Sequence, residues 1–90
     1  DPTEVENAAT SHDSVKDCIC IAANHPVIGT VFKLLVVLPE GVELDKRSIA
    51  LHLKGKLEPH KVPTYYEKVD KIARTYNGKL DRKFYKEKQN

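Results

Sequence analysis

Cys18-Ile19-Cys20-Ile21-Ala22-Ala23, then His25-Pro26 and Gly29, then Thr30-Val31-Phe32-Lys33-Leu34-Leu35-Val36-Val37-Leu38, form the stretch that sets the fold. Each apolar run has the length of a strand and is rich in β-branched and aliphatic residues. His25-Pro26 ends the first run, Gly29 marks a turn, and Pro39-Glu40-Gly41 closes the second. These punctuation residues predict strands over roughly 16–24 and 30–38. Neither run alternates apolar with polar residues. Strands buried on both faces read this way, so a sheet covered by helices on both sides is expected.

Upstream, Asp1-Pro2-Thr3-Glu4 has the form of a helix start. Asp1 can cap, Pro2 suits the first helical position, and Glu4 lies three residues after the cap. Val5, Ala8, Ala9 and His12 follow at helical spacing. Because the chain opens on a cap with no linker, residues 1–90 are expected to be a piece of a longer protein. Downstream, Asp45 caps a helix to about Lys56, with Ile49, Ala50, Leu53 and Leu57 as its apolar stripe. Gly55 weakens its last turn, and Pro59 and Pro63 forbid continuation. Tyr65–Val69 reads as a short third strand and Asn77-Gly78 as a tight turn. A terminal helix over about Asp81–Lys88 would turn Leu80 and Phe84 inward and its bases outward. The order helix, strand, strand, helix, strand, turn, helix gives an α+β fold, a small three-stranded sheet flanked by helices.

Ninety residues suffice for a single domain. Hydrophobic residues make up 40% and charged residues 31%, a folded rather than a disordered composition. The longest apolar runs fall far short of the roughly 20 residues of a membrane span, and no signal peptide is apparent. Cys18 and Cys20 are too close along one strand for an unstrained disulfide, and Cys-x-Cys without further ligands is a poor zinc site. They are expected to be buried thiols in a reducing compartment, which points to the cytoplasm. Charge is uneven: residues 1–17 carry five acids against one base, and residues 71–90 seven bases against two acids. A basic tail suits a polyanionic partner, either nucleic acid or a phosphorylated ligand, and equally a solvated helix face.

Glycine-rich phosphate loops, a nucleophile elbow and paired metal-binding histidines are all missing from the sequence. His12, His25, His52 and His60 are scattered and read as surface or half-buried side chains. A complete active site is not expected within these residues. The remaining candidate is Val69-Asp70-Lys71-Ile72-Ala73-Arg74-Thr75-Tyr76-Asn77-Gly78-Lys79-Leu80-Asp81-Arg82-Lys83.

That string closely resembles the final motif of the AMP-forming adenylate-forming superfamily, which includes acyl-CoA synthetases and peptide-synthetase adenylation domains. The match lies in Val69-Asp70, Ile72, Arg74-Thr75, Asn77-Gly78-Lys79, Leu80 and Asp81-Arg82. Leu57 with His60-Lys61-Val62-Pro63, Pro2-Thr3-Glu4-Val5-Glu6, and Gly29 extend the resemblance over nearly the whole chain. Ala73 stands where proline is usual, His60 where tyrosine is usual, and Asp13 where proline is common. Lys61 before Val62-Pro63 is more similar to the ligases than to the peptide synthetases.

The resemblance implies a C-terminal lid domain, residues 1–90, from an enzyme whose large N-terminal domain and hinge lie outside the chain. Such enzymes join a carboxylic acid to AMP with release of pyrophosphate, and most then transfer the acyl group to coenzyme A. Lys79 would be the catalytic lysine of adenylation. Arg74, Asn77, Gly78, Arg82 and Lys83 would contact nucleotide or coenzyme A phosphates. ATP and Mg2+ would be held mainly by the N-terminal domain, which would be the partner of this one, and the fragment alone would be inactive. Three other readings stay open: the lid of a peptide-synthetase-type adenylation domain, a lid that has become a non-catalytic interaction domain, and a nucleic-acid-binding module built on the basic terminus with Tyr76, Phe84 and Tyr85.

Overall fold

The computed structural model describes residues 1–89, and the side chains of residues 1–86. Helix α1 spans Pro2–Thr10, with the Asp1 carboxylate accepting the Thr3 N–H at 2.9 Å. Glu4 does not complete a capping box; its carboxylate lies 2.9 Å from Lys61 Nζ instead. That pairing ties α1 to the short 3₁₀ turn Pro59–Lys61, which the sequence reading did not foresee.

Strand β1 (Asp17–His25) and strand β2 (Gly29–Val37) form an antiparallel hairpin in which Cys20 faces Leu34 and Ile19 faces Leu35. At its tip His25 Nδ1 accepts the N–H groups of Val27 and Ile28, and Gly29 takes φ +84°. Strand β3 (Tyr65–Lys68) pairs with β2 in parallel, so the sheet order is β1-β2-β3. A parallel neighbour needs a crossover. Helix α2 (Lys46–Lys54) supplies it, capped by Asp45 on the Ser48 N–H at 3.0 Å and ended at Gly55. Gly55 is right-handed (φ −77°), so it stops the helix by low propensity rather than by a left-handed cap.

Alternation divides the two apolar strands between two cores. Cys18, Cys20, Leu34 and Val36 point to one face, where Val5 and Ala9 of α1 and Ile49 and Leu53 of α2 cover them. Ile19 and Leu35 point to the other face, beneath Ile72, Val69, Leu80 and Tyr85. Helices on both sides were expected and both sides have them: two helices cover the first face. The second is roofed by the irregular segment after β3 and by one residue of helix α3 (Arg82–Gln89). That residue is Tyr85 and not Phe84, which is 40% exposed. The Tyr85 hydroxyl accepts the Ala73 N–H at 2.8 Å and so fixes which face of α3 turns inward.

Both thiols are free and buried, and burial pushes each up to about 12. Among the described residues no helix is long and apolar enough to cross a membrane.

Candidate functional site

After β3 the chain runs across the second core through Val69 and Ile72, then folds back on itself. Arg74 and Leu80 form an isolated antiparallel bridge, and the Thr75 N–H donates to the Lys79 carbonyl at 2.8 Å. The Gly78 N–H donates to the Thr75 carbonyl at 2.9 Å, closing a turn whose central residues are Tyr76 and Asn77. Gly78 follows at φ +85°, while among the described residues none other than glycine has positive φ. The loop is therefore the three-residue hairpin in which a turn is followed by a left-handed glycine, rather than a two-residue loop centred on Asn77-Gly78. Asn77 contributes through its side chain, whose Oδ1 accepts the Thr75 hydroxyl proton.

Lys79 leaves this loop one residue after the left-handed glycine. Tyr76, Asn77, Gly78 and Lys79 are all exposed. The Lys79 ammonium makes no ion pair or hydrogen bond among the described residues. A four-carbon stem on a loop tip, with no neighbour claiming its charge, can reach into a cavity outside this domain.

The flanking arginines are arranged otherwise. Arg74 Nη2 lies 2.8 and 2.9 Å from the two carboxylate oxygens of Asp17, and its Nη1 donates to the Gly78 carbonyl at 3.1 Å. Arg82 grips Glu6 with both terminal nitrogens, at 2.9 and 2.7 Å. The Glu6 carboxylate raises the Arg82 guanidinium above its usual value. Two bases of the basic tail thus meet two acids of the acidic N-terminus, and part of the charge asymmetry is intramolecular complementarity. Each arginine keeps over 40% of its side-chain surface exposed. Lys83 and Lys86 lie on α3 with exposed side chains, while the Lys88 side chain falls outside the described residues.

Glu6, quoted in the sequence only as part of the Pro2–Glu6 match, is the site residue to which no role was given. It is the buried charged side chain of α1, and besides Arg82 it accepts the buried Cys20 N–H at 2.8 Å. Its place beside Val5 and one turn before Ala9, on the inward side of α1, was the available signal. Its partner lies 76 residues away, and no local pattern announces that.

The histidines are structural contacts. His12 Nδ1 accepts the Ser14 N–H at 3.1 Å, so its proton sits on Nε2, which faces Ser48 Oγ at 2.9 Å. His52 Nε2 lies 2.7 Å from Ser11 Oγ, which with the His12 contact pins α2 to the end of α1. Among the described residues no three His, Cys, Asp or Glu side chains converge on a metal site.

The sequence profile of the AMP-binding enzyme C-terminal domain matches residues 4–79, most of the chain. The chain belongs to that family. Relatives include the human mitochondrial acyl-coenzyme A synthetase ACSM1, 31% identical over 98% of this chain and 16% of its own length. The acetyl-coenzyme A synthetase of Bacillus subtilis is 33% identical over 94% of this chain and 15% of its own. Among solved structures, an acyl-CoA synthetase of Brucella canis superposes at a TM-score of 0.82 with 29% identity, over 99% of this chain and 18% of that one. The anthranilate CoA ligase AuaEII, solved with anthranoyl-AMP, superposes at 0.89 with 24% identity over 99% of this chain and 18% of that one, and shows the shared fold. The chain therefore spans about one-sixth of the length of the curated relatives it matches. It is an AMP-binding enzyme C-terminal domain built on a three-stranded mixed sheet.

Proposed function

We propose that this domain is the lid of an ATP-dependent acyl-CoA ligase and that Lys79 is its adenylation lysine. The observation that carries the reading is the Lys79 ammonium, exposed at a loop tip and unclaimed by any described residue. In adenylation a carboxylate oxygen bonds to the α-phosphorus of ATP as the bridge to the β-phosphate breaks and pyrophosphate leaves. Two anions must approach. A compact cation between them offsets the repulsion and stabilises the charge on the equatorial oxygens. Asn77 and Gly78 aim the stem, and Arg74, Arg82 and Lys83 offer the surrounding positive surface to nucleotide or coenzyme A phosphates. With no converging ligand cluster among the described residues, the Mg2+ that accompanies ATP is not assigned to this domain.

The partner is then the ATP- and acyl-binding domain of the same enzyme, which encloses the acid, ATP and coenzyme A. The test is pyrophosphate exchange by the full chain carrying these residues, across a panel of carboxylic acids, for wild type and Lys79→Ala. Loss of one such contact typically lowers the rate by about 10²–10³. An unchanged exchange rate in the variant would remove the assignment. Thioester formation from the same acids with coenzyme A, compared with other thiols, identifies the acceptor.

A further inference from the structure

The strand that carries the two thiols lies at the edge of the sheet, since among the described residues β1 pairs only with β2 in the order β1-β2-β3. Its outward N–H groups at Cys18 and Cys20 face no strand. Each is satisfied by a carboxylate: Asp17 Oδ1 accepts Cys18 N–H at 2.9 Å, and Glu6 Oε2 accepts Cys20 N–H at 2.8 Å. Each of those carboxylates also holds an arginine through two nitrogen–oxygen contacts, Asp17 with Arg74 and Glu6 with Arg82. The two arginines stand on either side of the Lys79 loop. The same relay, edge amide to carboxylate to guanidinium, therefore occurs twice, two residues apart on one strand. It grips both legs of the ribbon that ends in Lys79.

We propose that Asp17 and Glu6 are positioning residues for Lys79, hanging its loop from the edge of β1 through Arg74 and Arg82. The proposal rests on the assignment of Lys79 as the adenylation lysine. Three observations favour aim over mere stability. The ribbon's own backbone bonds, Thr75–Lys79, Gly78–Thr75 and Asp81–Ala73, join its two legs to each other, while the arginine pairs tie those legs to the edge of β1. Arg74 reaches past its carboxylate to the Gly78 carbonyl, the peptide group directly before Lys79, so a shift of the guanidinium moves the root of the lysine stem. The Asp17–Arg74 pair is also partly exposed, with side chains 32% and 42% accessible. Such a pair adds little net stability, while Nη2 on Asp17 and Nη1 on the Gly78 carbonyl together hold the guanidinium in one orientation.

Displacing a catalytic group by about 1 Å can cost on the order of 10²-fold in rate. The experiment is pyrophosphate exchange by the full chain for wild type, D17N, E6Q, K79A and the doubles D17N/K79A and E6Q/K79A. Asn and Gln keep the shape of each carboxylate and one acceptor for the edge amide, and remove the charge that holds the arginine. The expected result is a fall in kcat of about 10- to 100-fold in D17N and E6Q, larger than any change in KM for ATP that the released arginines cause. In the K79A background neither substitution should lower the residual rate further, because a group acting only through Lys79 has nothing left to aim.

The proposal is overturned if the single variants keep the wild-type kcat, or if they lower kcat equally with and without Lys79. A K79A enzyme with full activity would sink the lysine assignment and this proposal together. A crippled K79A beside fully active D17N and E6Q would sink only the positioning role. Should E6Q fail to fold, D17N, which alters the more exposed pair, decides the matter alone.

Discussion

Glu6→Ala should be among the most damaging polar substitutions in the domain, and its cost can be worked from two contacts. The first is the Cys20 N–H, whose residue is 1% exposed and whose acceptor is Glu6 Oε2 at 2.8 Å. Deleting that acceptor leaves a buried donor unsatisfied, at about 1–3 kcal/mol. The second is the ion pair with Arg82. The Arg82 side chain is 45% exposed and can rehydrate, so the pair adds only about 0–1 kcal/mol after solvent screening. Together these span about 1–4 kcal/mol for alanine, with a central value of about 2–3 kcal/mol, out of about 5–13 kcal/mol for a domain of this size. Glu6→Gln keeps an acceptor for the amide and should cost about 1 kcal/mol. At about 4–8 °C per kcal/mol, alanine should lower the melting temperature by roughly 10–20 °C and glutamine by half that or less. Urea unfolding of the 90-residue chain followed by circular dichroism measures both, with the slope against urea checked for constancy. The partition is refuted if the alanine variant unfolds at the wild-type midpoint, or if alanine and glutamine cost the same.

Lys79→Ala should leave the urea midpoint within about 0.5 kcal/mol of wild type, since its side chain is exposed and unpaired, while abolishing most adenylation in the full chain. A large loss of stability would mean that its ammonium has a partner after all. Burial holds Cys18 and Cys20 at about 12 in the folded domain against 9.0 when exposed, and Tyr66 at about 12 against 10.0. Folded pKa values above unfolded ones mean stability that is fully present below pH 9 and lost as pH rises toward 12, at up to about 1.4 kcal/mol per pH unit for each thiol. Urea midpoints between pH 8 and pH 10.5 test this, and a flat profile would contradict it. At pH 8 native thiols should also react with iodoacetamide only as fast as the domain opens, which stopped labelling in urea-free buffer would reveal. Ala73→Pro removes the N–H that the Tyr85 hydroxyl accepts, and Tyr85→Phe removes the acceptor. Each should cost about 1 kcal/mol, with the proline's loss partly offset by its stiffer unfolded chain. In a double-mutant cycle Tyr85→Phe should lose its hydrogen-bond cost once Ala73 is proline, and full additivity would refute the contact.

The secondary elements were legible because their signals are local. Asp1-Pro2 and Asp45 cap the helices they were expected to cap, and the runs around Cys18 and Val36 are strands within a residue or two of the expected bounds. The resemblance carried by Asn77-Gly78-Lys79 led to the right family, because the motif spans contiguous residues. Phe84 and Tyr85 show where local reading ends. Both are aromatic and adjacent, and helical periodicity favours Phe84 as the inward partner of Leu80. The structure turns Tyr85 inward because its hydroxyl finds the Ala73 amide, a donor that exists only because position 73 is not proline. The second face of the sheet is covered by a helix as expected, through α3, but an extended segment shares the cover in a way no local signal gives. Continuous apolar strands demand cover, yet they do not say whether a helix or an extended segment such as Val69–Leu80 supplies it.

Composition, caps and apolar runs, each a property of neighbouring residues, were enough to fix the elements, the α+β class and the lysine at a loop tip. Tertiary structure alone decided what each charge does. Arg74 and Arg82 are bound to Asp17 and Glu6 across 57 and 76 residues of chain, while Lys79 between them is bound to nothing described. Coulomb attraction acts through space, and the sequence records only distance along the chain. Which cation is held and which is left free is therefore settled when the sheet edge, α1 and the Lys79 ribbon come together.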